Sequence, residues 1–311
     1  MLRLRPWIVV VFLYCLINTP IFAEEKEIAI TIDDLPFVGS GSSTPASLKR
    51  TQERFMAIVN TLVNNQVPAT GFAIGGAVAK NEWDLLETFR NQGFNLGNHT
   101  YTHLNLNTMN TDKYIADIDK ADKVLTPVMT EPKYFRYPYL AEGKGEKKNK
   151  VREYLEAHNY TIAPVTIDSK DYEFNARFYR IAYRNRAKSI GAFKKGYLAY
   201  IWKQTLRAEK NAHKVEGQPV KQILLLHANL LNSLCLEDII ALYRQNGYKF
   251  ITLDEALKGN TAPVINDSVI SPVPAISKKQ KINVRAVDLT SIRQSVEAIA
   301  SNVPHFSYAR Q

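Results

Sequence analysis

The chain has 311 residues and a formal net charge of +10, and these two figures set the first limits. A chain of this length can bury a full hydrophobic core, in one large domain or two small ones. The surplus of Lys and Arg is densest in residues 144–221 and favours anionic polymers or membrane head groups as partners. Glycine-rich phosphate loops, the G-x-S-x-G motif and paired-cysteine zinc motifs are absent from the sequence, which argues against the nucleotide-binding, serine hydrolase and zinc-finger classes that these motifs mark. Nucleic-acid-binding motifs are also absent, which argues against nucleic acid as a partner.

An apolar run near the N-terminus predicts a signal peptide over residues 1–23. Arg3 and Arg5 precede the run, and Ala23 is a suitable cleavage position. Because the run is short for a membrane span, no stable span is expected after cleavage; an uncleaved anchor is the alternative. Cleavage would leave Cys235 as the single cysteine, without a disulfide, which suits a bacterial periplasm. We therefore expect an exported protein, periplasmic or secreted.

Strand-like and helix-like patterns alternate along the body of the chain, residues 24–259. Short β-branched and apolar runs predict seven strands, at 28–32, 69–74, 94–98, 133–136, 160–167, 223–227 and 249–253. Helical periodicity fills the intervals, including a long basic stretch at 172–221. This alternation predicts an α/β fold with a parallel sheet or barrel, in which chemistry gathers at the carboxyl ends of the strands. Residues 260–311 are predicted to be a linker and a tail with an amphipathic helix, and the sequence leaves their role and the oligomeric state open.

Polar side chains follow the first and third predicted strands. Asp33 and Asp34 are adjacent, and in strand geometry their side chains would be opposed and would need different partners. His99 and His103 are four residues apart, a spacing that one helical turn brings onto the same face. Two imidazoles and one carboxylate form a metal-binding set that leaves positions open for water and substrate. The alternative is a pair of surface or capping histidines.

Arg136 follows the fourth strand and offers a fixed fork of donors to a carboxylate. Pro138 stiffens the turn after it, so that the backbone N–H of Tyr139 could point at a developing oxyanion. An exposed arginine on an ordinary turn is the alternative.

Acids and a histidine follow the fifth and sixth strands. Asp168 or Asp171 could orient an imidazole, although either could instead cap a helix. His227 comes directly after an apolar strand, where it would be either a general acid or a hydrogen-bonded core residue.

Taken in order, these residues resemble the five motifs of the polysaccharide deacetylases of carbohydrate esterase family four, the NodB-homology domain. The segments are Thr31-Ile-Asp33-Asp34-Leu, His99-Thr-Tyr-Thr-His103, Arg136-Tyr-Pro-Tyr139, Asp168-Ser-Lys-Asp171-Tyr172 and Leu224-Leu-Leu-His227. They span about residues 27–257. The sequence departs from the family pattern at Ile32, Leu35 and Tyr172, and in its long basic segment, which puts substrate choice rather than chemistry in doubt.

The resemblance implies a distorted (β/α) barrel with fewer than eight strands and a bound divalent metal, with zinc as the first choice. The implied metal ligands are Asp34, His99 and His103. The implied general base is Asp33 paired with Arg136, the implied oxyanion donor is the N–H of Tyr139, and the implied general acid is His227 oriented by Asp171.

The implied activity is the removal of N-acetyl groups from amino sugars of peptidoglycan or a chitin-like glycan, with release of acetate. The acetylated glycan would be the partner. Removal of O-acetyl esters from a xylan-like glycan is an alternative activity that the same implied site residues could catalyse. A non-catalytic glycan-binding protein on the same scaffold is an alternative from another class, and an iron-dependent oxygenase is disfavoured by the second carboxylate.

Overall fold

The computed structural model describes residues 25–37, 44–78, 82–216 and 220–258. The predicted signal peptide and the predicted C-terminal tail lie outside the described residues, so both segments stay predictions. Within these four ranges, none of the helices combines the length and the hydropathy that a membrane crossing requires.

Eight parallel strands form one sheet in the described residues. They are β1 (Lys26–Leu35), β2 (Ala69–Ala73), β3 (Asn95–Asn98), β4 (Lys133–Phe135), β5 (Tyr160–Ile162), β6 (Ile167–Asp168), β7 (Gln222–His227) and β8 (Tyr248–Phe250). The strand order is β5-β4-β3-β2-β1-β7-β6, and β8 pairs with the start of β1. The curled parallel sheet confirms the predicted α/β distorted barrel, although it has eight strands where seven were predicted.

The predicted fifth strand, 160–167, is wrong in one respect, because it is two strands separated by residues 163–166. The backbone N–H of Ala163 still donates to Phe135 on β4 at 2.8 Å, whereas that of Thr166 donates to Ile223 on β7 at 3.1 Å. Pro164 lies between them and has no N–H to give to a ladder. These four residues therefore cross from one edge of the sheet to the other, and they close the barrel where β5 and β6 do not pair.

Eight α-helices cover the sheet in the described ranges. They are α1 (Pro45–Asn64), α2 (Trp83–Asn91), α3 (Thr111–Leu125), α4 (Gly145–Ala157), α5 (Asp171–Tyr179), α6 (Tyr183–Glu216), α7 (Leu230–Gln245) and α8 (Leu253–Leu257). The predicted helical stretch 172–221 is thus two helices. The predicted last strand ends early, because Thr252 forms a capping box with Glu255 and starts α8.

Side chains of the central strand β1 alternate between two environments. Ile28, Ile30 and Ile32 pack in the main core cluster with residues of α1 and α7. Ala29 packs in a second cluster with Phe72 of β2. Because Thr31 and Asp33 follow Ala29 at intervals of two, they point toward the barrel interior, at the end where the parallel strands finish.

Candidate active site

The two aspartates at the end of β1 face the same site. Asp34 has a left-handed backbone with φ of 61°, and the register between β1 and β2 shifts between Ile32 and Leu35. This turn breaks the alternation of a regular strand, so the prediction of opposed side chains is wrong. Asp33 Oδ2 lies 3.8 Å from His99 Nε2, and Asp34 Oδ1 lies 3.4 Å from the same nitrogen.

His99 and His103 lie close together, although the helical turn predicted to join them is absent. Residues 99–103 form a loop after β3, with left-handed backbone at Thr100 and His103. The two imidazole centroids are 5.0 Å apart, and His103 Nε2 lies 3.1 Å from Asp34 Oδ1. The spacing of His99 and His103 thus predicted a pair that the structure brings together, but the helical turn that was expected to join them is not present.

The loop is held by an aspartate that the motif analysis missed. Asp117 on α3 accepts hydrogen bonds from the backbone N–H groups of Tyr101 and Thr102, at 3.0 and 2.9 Å, and from the Thr102 hydroxyl at 2.9 Å. Asp117 is buried and follows the core residue Tyr114 at helical spacing. An acid on the apolar face of a predicted helix was the available signal, because a buried carboxylate needs partners.

Arg136 is fully buried inside the barrel and makes four hydrogen bonds. Its Nη1 donates to Asp33 Oδ1 at 2.8 Å and to the Thr31 hydroxyl at 2.7 Å. Its Nε and Nη2 donate to the carbonyls of Ala163 and Pro164, at 3.2 and 3.1 Å, within the segment that closes the barrel. Arg136 therefore binds both Asp33 and the segment 163–166 that closes the barrel. The alternative of an exposed arginine is wrong.

His227 at the end of β7 pairs with Asp171 at the start of α5. The imidazole Nδ1 lies 2.6 Å from Asp171 Oδ1, and the His227 backbone N–H donates to Asp171 Oδ2, also at 2.6 Å. Asn229 and Asn232, which the sequence analysis did not single out, donate to the same Oδ2. With Nδ1 engaged, Nε2 faces the site and lies 4.0 Å from Asp34 Oδ2. Asp168 instead pairs with Lys170 at 2.9 Å.

The charges of these groups are set by their neighbours. Burial alone would lower the pKa of His227, but the charge and hydrogen bond of Asp171, with further help from Asp34 and Asp33, raise that pKa to about 10. Burial opposes ionisation of Asp34, yet the imidazoles of His103 and His99 close to its carboxylate and the charge of His227 hold its pKa well below its ordinary value. At neutral pH the site therefore contains a protonated His227 facing an ionised Asp34.

Replacing Asp171 by Asn is expected to lower the pKa of His227 by about two units, because an opposite charge at this distance contributes one to three. The raised pKa stabilises the folded state below the ordinary histidine pKa, and this stability is lost as the pH rises through about 10. The variant should therefore lose stability at neutral pH. Titration of the His227 ring by NMR measures the shift. Asp168→Asn is the control, and an unchanged His227 pKa in Asp171→Asn would contradict the pairing.

Three side chains form a donor set suited to a divalent cation. One ligand atom from each of Asp34, His99 and His103 lies within 4.8 Å of the others. Asp34 Oδ1 is buried and makes no hydrogen bond in the structure, so it is a polar atom that needs a partner. His99 Nδ1 lies 2.9 Å from the Arg136 carbonyl, which only accepts, so Nδ1 carries the hydrogen and Nε2 is left with a lone pair toward Asp34. These residues fit a bound cation.

A cavity of about 400 Å³ lies beside this donor set. Its lining is Asp34, Tyr172, Asn175, Ala176, Tyr179, His227 and Asn229. The Tyr172 ring meets that of His227 edge-on at 5.9 Å, in the position where the family pattern has Trp. Tyr139 has a left-handed backbone with φ of 57°, and its exposed ring lies 4.6 Å from that of His103. The sequence-predicted site residues are thus gathered around one opening at the carboxyl end of the sheet.

Comparison with known proteins points to one family. The sequence profile named polysaccharide deacetylase matches residues 22–163, and the chain is similar to that family over this segment. It is 29% identical over 150 residues to a peptidoglycan-N-acetylglucosamine deacetylase of Bacillus cereus, covering 48% of this chain and 47% of that protein. It is 30% identical over 166 residues to a chitin deacetylase of Colletotrichum lindemuthianum, covering 51% and 59%. The chain therefore spans about half the length of these curated relatives.

Solved structures support the fold. A family-four pseudoenzyme from Bacillus anthracis superposes with a TM-score of 0.52 at 17% identity, covering 75% of this chain and 66% of the other. A peptidoglycan N-acetylglucosamine deacetylase superposes with a TM-score of 0.51 at 22% identity, covering 77% and 92%. Because one neighbour is described as a pseudoenzyme, the fold alone does not decide activity, and the side chains of the site must decide it.

Proposed function

We propose that this protein is a metal-dependent hydrolase that removes N-acetyl groups from the amino sugars of a glycan and releases acetate. The observation that carries this proposal is one cluster that holds a cation donor set, a separate carboxylate and a protonated imidazole. Asp34, His99 and His103 supply the donor set, Asp33 is the carboxylate, and His227 is the imidazole. A glycan-binding protein would need none of these groups in this arrangement.

A divalent cation held by Asp34, His99 and His103 would supply Lewis-acid chemistry, polarising the acetyl carbonyl and making water easier to deprotonate. We propose zinc as this cation, because two imidazoles and one carboxylate form a common catalytic zinc set with an open position. Metal analysis of the purified protein by mass spectrometry tests this choice.

Asp33 is proposed to accept the proton of the attacking water. Its Oδ1 is occupied by Arg136 at 2.8 Å, whereas its Oδ2 faces the site, 3.8 Å from His99 Nε2. The Arg136 guanidinium pairs with the carboxylate and fixes its orientation. In this proposal Asp34 binds the cation, and Asp33 stays unbound and acts as the base.

His227 is proposed to protonate the departing amine. An amide C–N bond breaks readily only when the nitrogen leaves as a neutral amine, so a proton donor is needed on that side. Asp171 keeps His227 protonated at neutral pH and aims Nε2 at the cavity. The backbone N–H of Tyr139, in its left-handed turn, is proposed to stabilise the negative oxygen that develops on the acetyl carbon.

The direct test is release of acetate from purified glycans by the full-length protein. The panel contains peptidoglycan, chitin oligosaccharides and acetylated xylan, each assayed with a chelator and with added zinc. We expect chelator-sensitive acetate from an N-acetylated member, restored by zinc. Acetate from xylan alone would favour the O-acetyl alternative, and bound metal with no acetate from any member would favour the glycan-binding alternative.

We also propose that the protein is exported by the segment 1–23, as the pattern of Arg3, Arg5 and Ala23 predicts. Sequencing of the N-terminus of the protein recovered from a periplasmic fraction tests this. A start at Glu24 is expected, and recovery of the intact chain in the membrane fraction would favour the uncleaved anchor.

A further inference from the structure

Six basic side chains on α6 are exposed and have no ion-pair partner among the described residues. We refer to them as the α6 cations: Arg184, Lys188, Lys195, Lys203, Lys210 and Lys214. By contrast, Lys194 on the same helix pairs with Asp238 at 2.6 Å and Arg186 bonds to backbone carbonyls, so basic residues that face the body do find partners.

The α6 cations form one continuous strip. At 100° and 1.5 Å per residue, they lie within an arc of about 120° and span about 45 Å of helix. The opposite face packs on the body through Tyr197, Ile201 and Thr205, which are all buried. Glu209 also faces the body, where it contacts Lys26 Nζ at 2.7 Å and accepts from the Tyr248 hydroxyl at 2.6 Å. The solvent-facing side of α6 that carries the α6 cations is therefore positively charged along its length.

The strip begins beside the cavity of the active site. Tyr179, the last residue of α5, lines that cavity. Its hydroxyl accepts from Arg54 Nη1 at 3.0 Å, and its carbonyl accepts from Arg186 Nη2 in the first turn of α6 at 2.9 Å. Arg184, the first of the α6 cations, follows Tyr179 by five residues, so the N-terminal end of the strip lies within about 18 Å of this side of the cavity.

A cationic strip of this length suits a polyanion more than a lipid surface. A helix that binds a membrane interface presents a band of apolar residues next to its cations. The exposed large apolar side chains of α6 are Tyr183 and Leu206, which are more than 30 Å apart along the helix at about 1.5 Å per residue. Near the cavity, Tyr172 and Tyr179 offer aromatic rings, which suit the faces of sugar rings.

We propose that α6 binds a glycan chain that bears carboxylate groups, and directs one end of that chain to the cavity. Binding along α6 does not depend on the proposed hydrolysis; only the delivery to the cavity rests on that function. Spaced carboxylates along the glycan would pair with the α6 cations, and the attraction would weaken with salt.

The test compares two forms of one oligosaccharide. The full-length protein is titrated calorimetrically with a hyaluronan octasaccharide, which alternates N-acetylglucosamine with glucuronate, and with the same octasaccharide after its carboxylates are converted to amides. We expect the carboxylate form to bind at least about tenfold tighter at low salt, and to lose this advantage at about 0.3 M salt, where charges are screened within a few ångströms. Equal affinity of the two forms would overturn the proposal.

Matched variants separate the strip from overall charge. The triple change Lys188→Glu, Lys195→Glu and Lys203→Glu is expected to weaken binding about tenfold or more. The control changes Lys113→Glu, Lys123→Glu and Lys150→Glu alter the net charge equally on α3 and α4, where exposed pairs contribute little to stability, and should change binding less than about twofold.

Equal losses in both triple variants would overturn the proposal. Tighter binding of anionic phospholipid vesicles through the same three lysines would also overturn it, in favour of a membrane. Octasaccharide binding by a protein that releases no acetate from any glycan would refute the proposed function and leave the α6 site standing.

Discussion

Replacing Asp33 by Asn should lower kcat for acetate release by about a thousandfold, because a positioned general base contributes roughly a hundredfold to ten-thousandfold. The amide oxygen of Asn can still accept from Arg136 Nη1, so the geometry around the arginine is retained. The cation donor set does not include Asp33 and should keep its metal. Steady-state kinetics on an N-acetylated oligosaccharide, with metal content measured on the same sample, check both expectations.

Asp34→Asn is the matched control for this substitution, because it changes the neighbouring carboxylate in the same way. We expect this variant to lose metal as well as activity, since Asp34 lies 3.1 Å from His103 Nε2 and 3.4 Å from His99 Nε2. If Asp33→Asn also lost its metal, or kept more than about a tenth of its activity, the assignment of Asp33 as the base would be wrong.

Replacing Arg136 by Met should lower the free energy of unfolding by about 3–5 kcal/mol, the usual cost of leaving a buried charge without its partner. Asp33 is buried and pairs with Arg136 at 2.8 Å. The carbonyls of Ala163 and Pro164 would lose their donors at the same time. Denaturation with urea, followed by circular dichroism, measures the loss.

Two comparisons separate the buried charge from a general loss of packing. Arg152→Met removes a half-exposed arginine that lies 3.3 Å from Glu142, and it should cost less than about 1 kcal/mol. The double variant Asp33→Asn, Arg136→Met removes both charges and should be more stable than Arg136→Met alone. A double variant that is less stable would show that packing, not charge, dominates.

The sequence was sufficient for the fold class and for the gathering of the site residues, because parallel strands bring their carboxyl ends to one edge. Asp33, His99, Arg136 and His227 each lie at the carboxyl end of a predicted strand, and the strand pattern alone predicted their proximity. Asp171 was one of two candidates, and only the structure separates it from Asp168, which pairs with Lys170.

What the sequence did not predict depends on backbone conformation and on contacts distant in sequence. Left-handed backbone at Asp34 and His103 sets the direction of two donor side chains, and neither residue type requires it. Asn232 reaches Asp171 only because α7 packs beside α5. The crossing at residues 163–166 needed knowledge of which strands pair at the two edges, which periodicity does not supply.

The central position of β1 has a consequence for the order of assembly. Its residues are the first of the described chain to be synthesised, yet Asp33 is paired in register with His227, almost two hundred residues later. Closing so long a loop costs entropy, and contacts of this separation are slow to form. A growing chain that has not yet reached β7 therefore has no complete site. The reactive arrangement comes into existence only when nearly the whole barrel has been made.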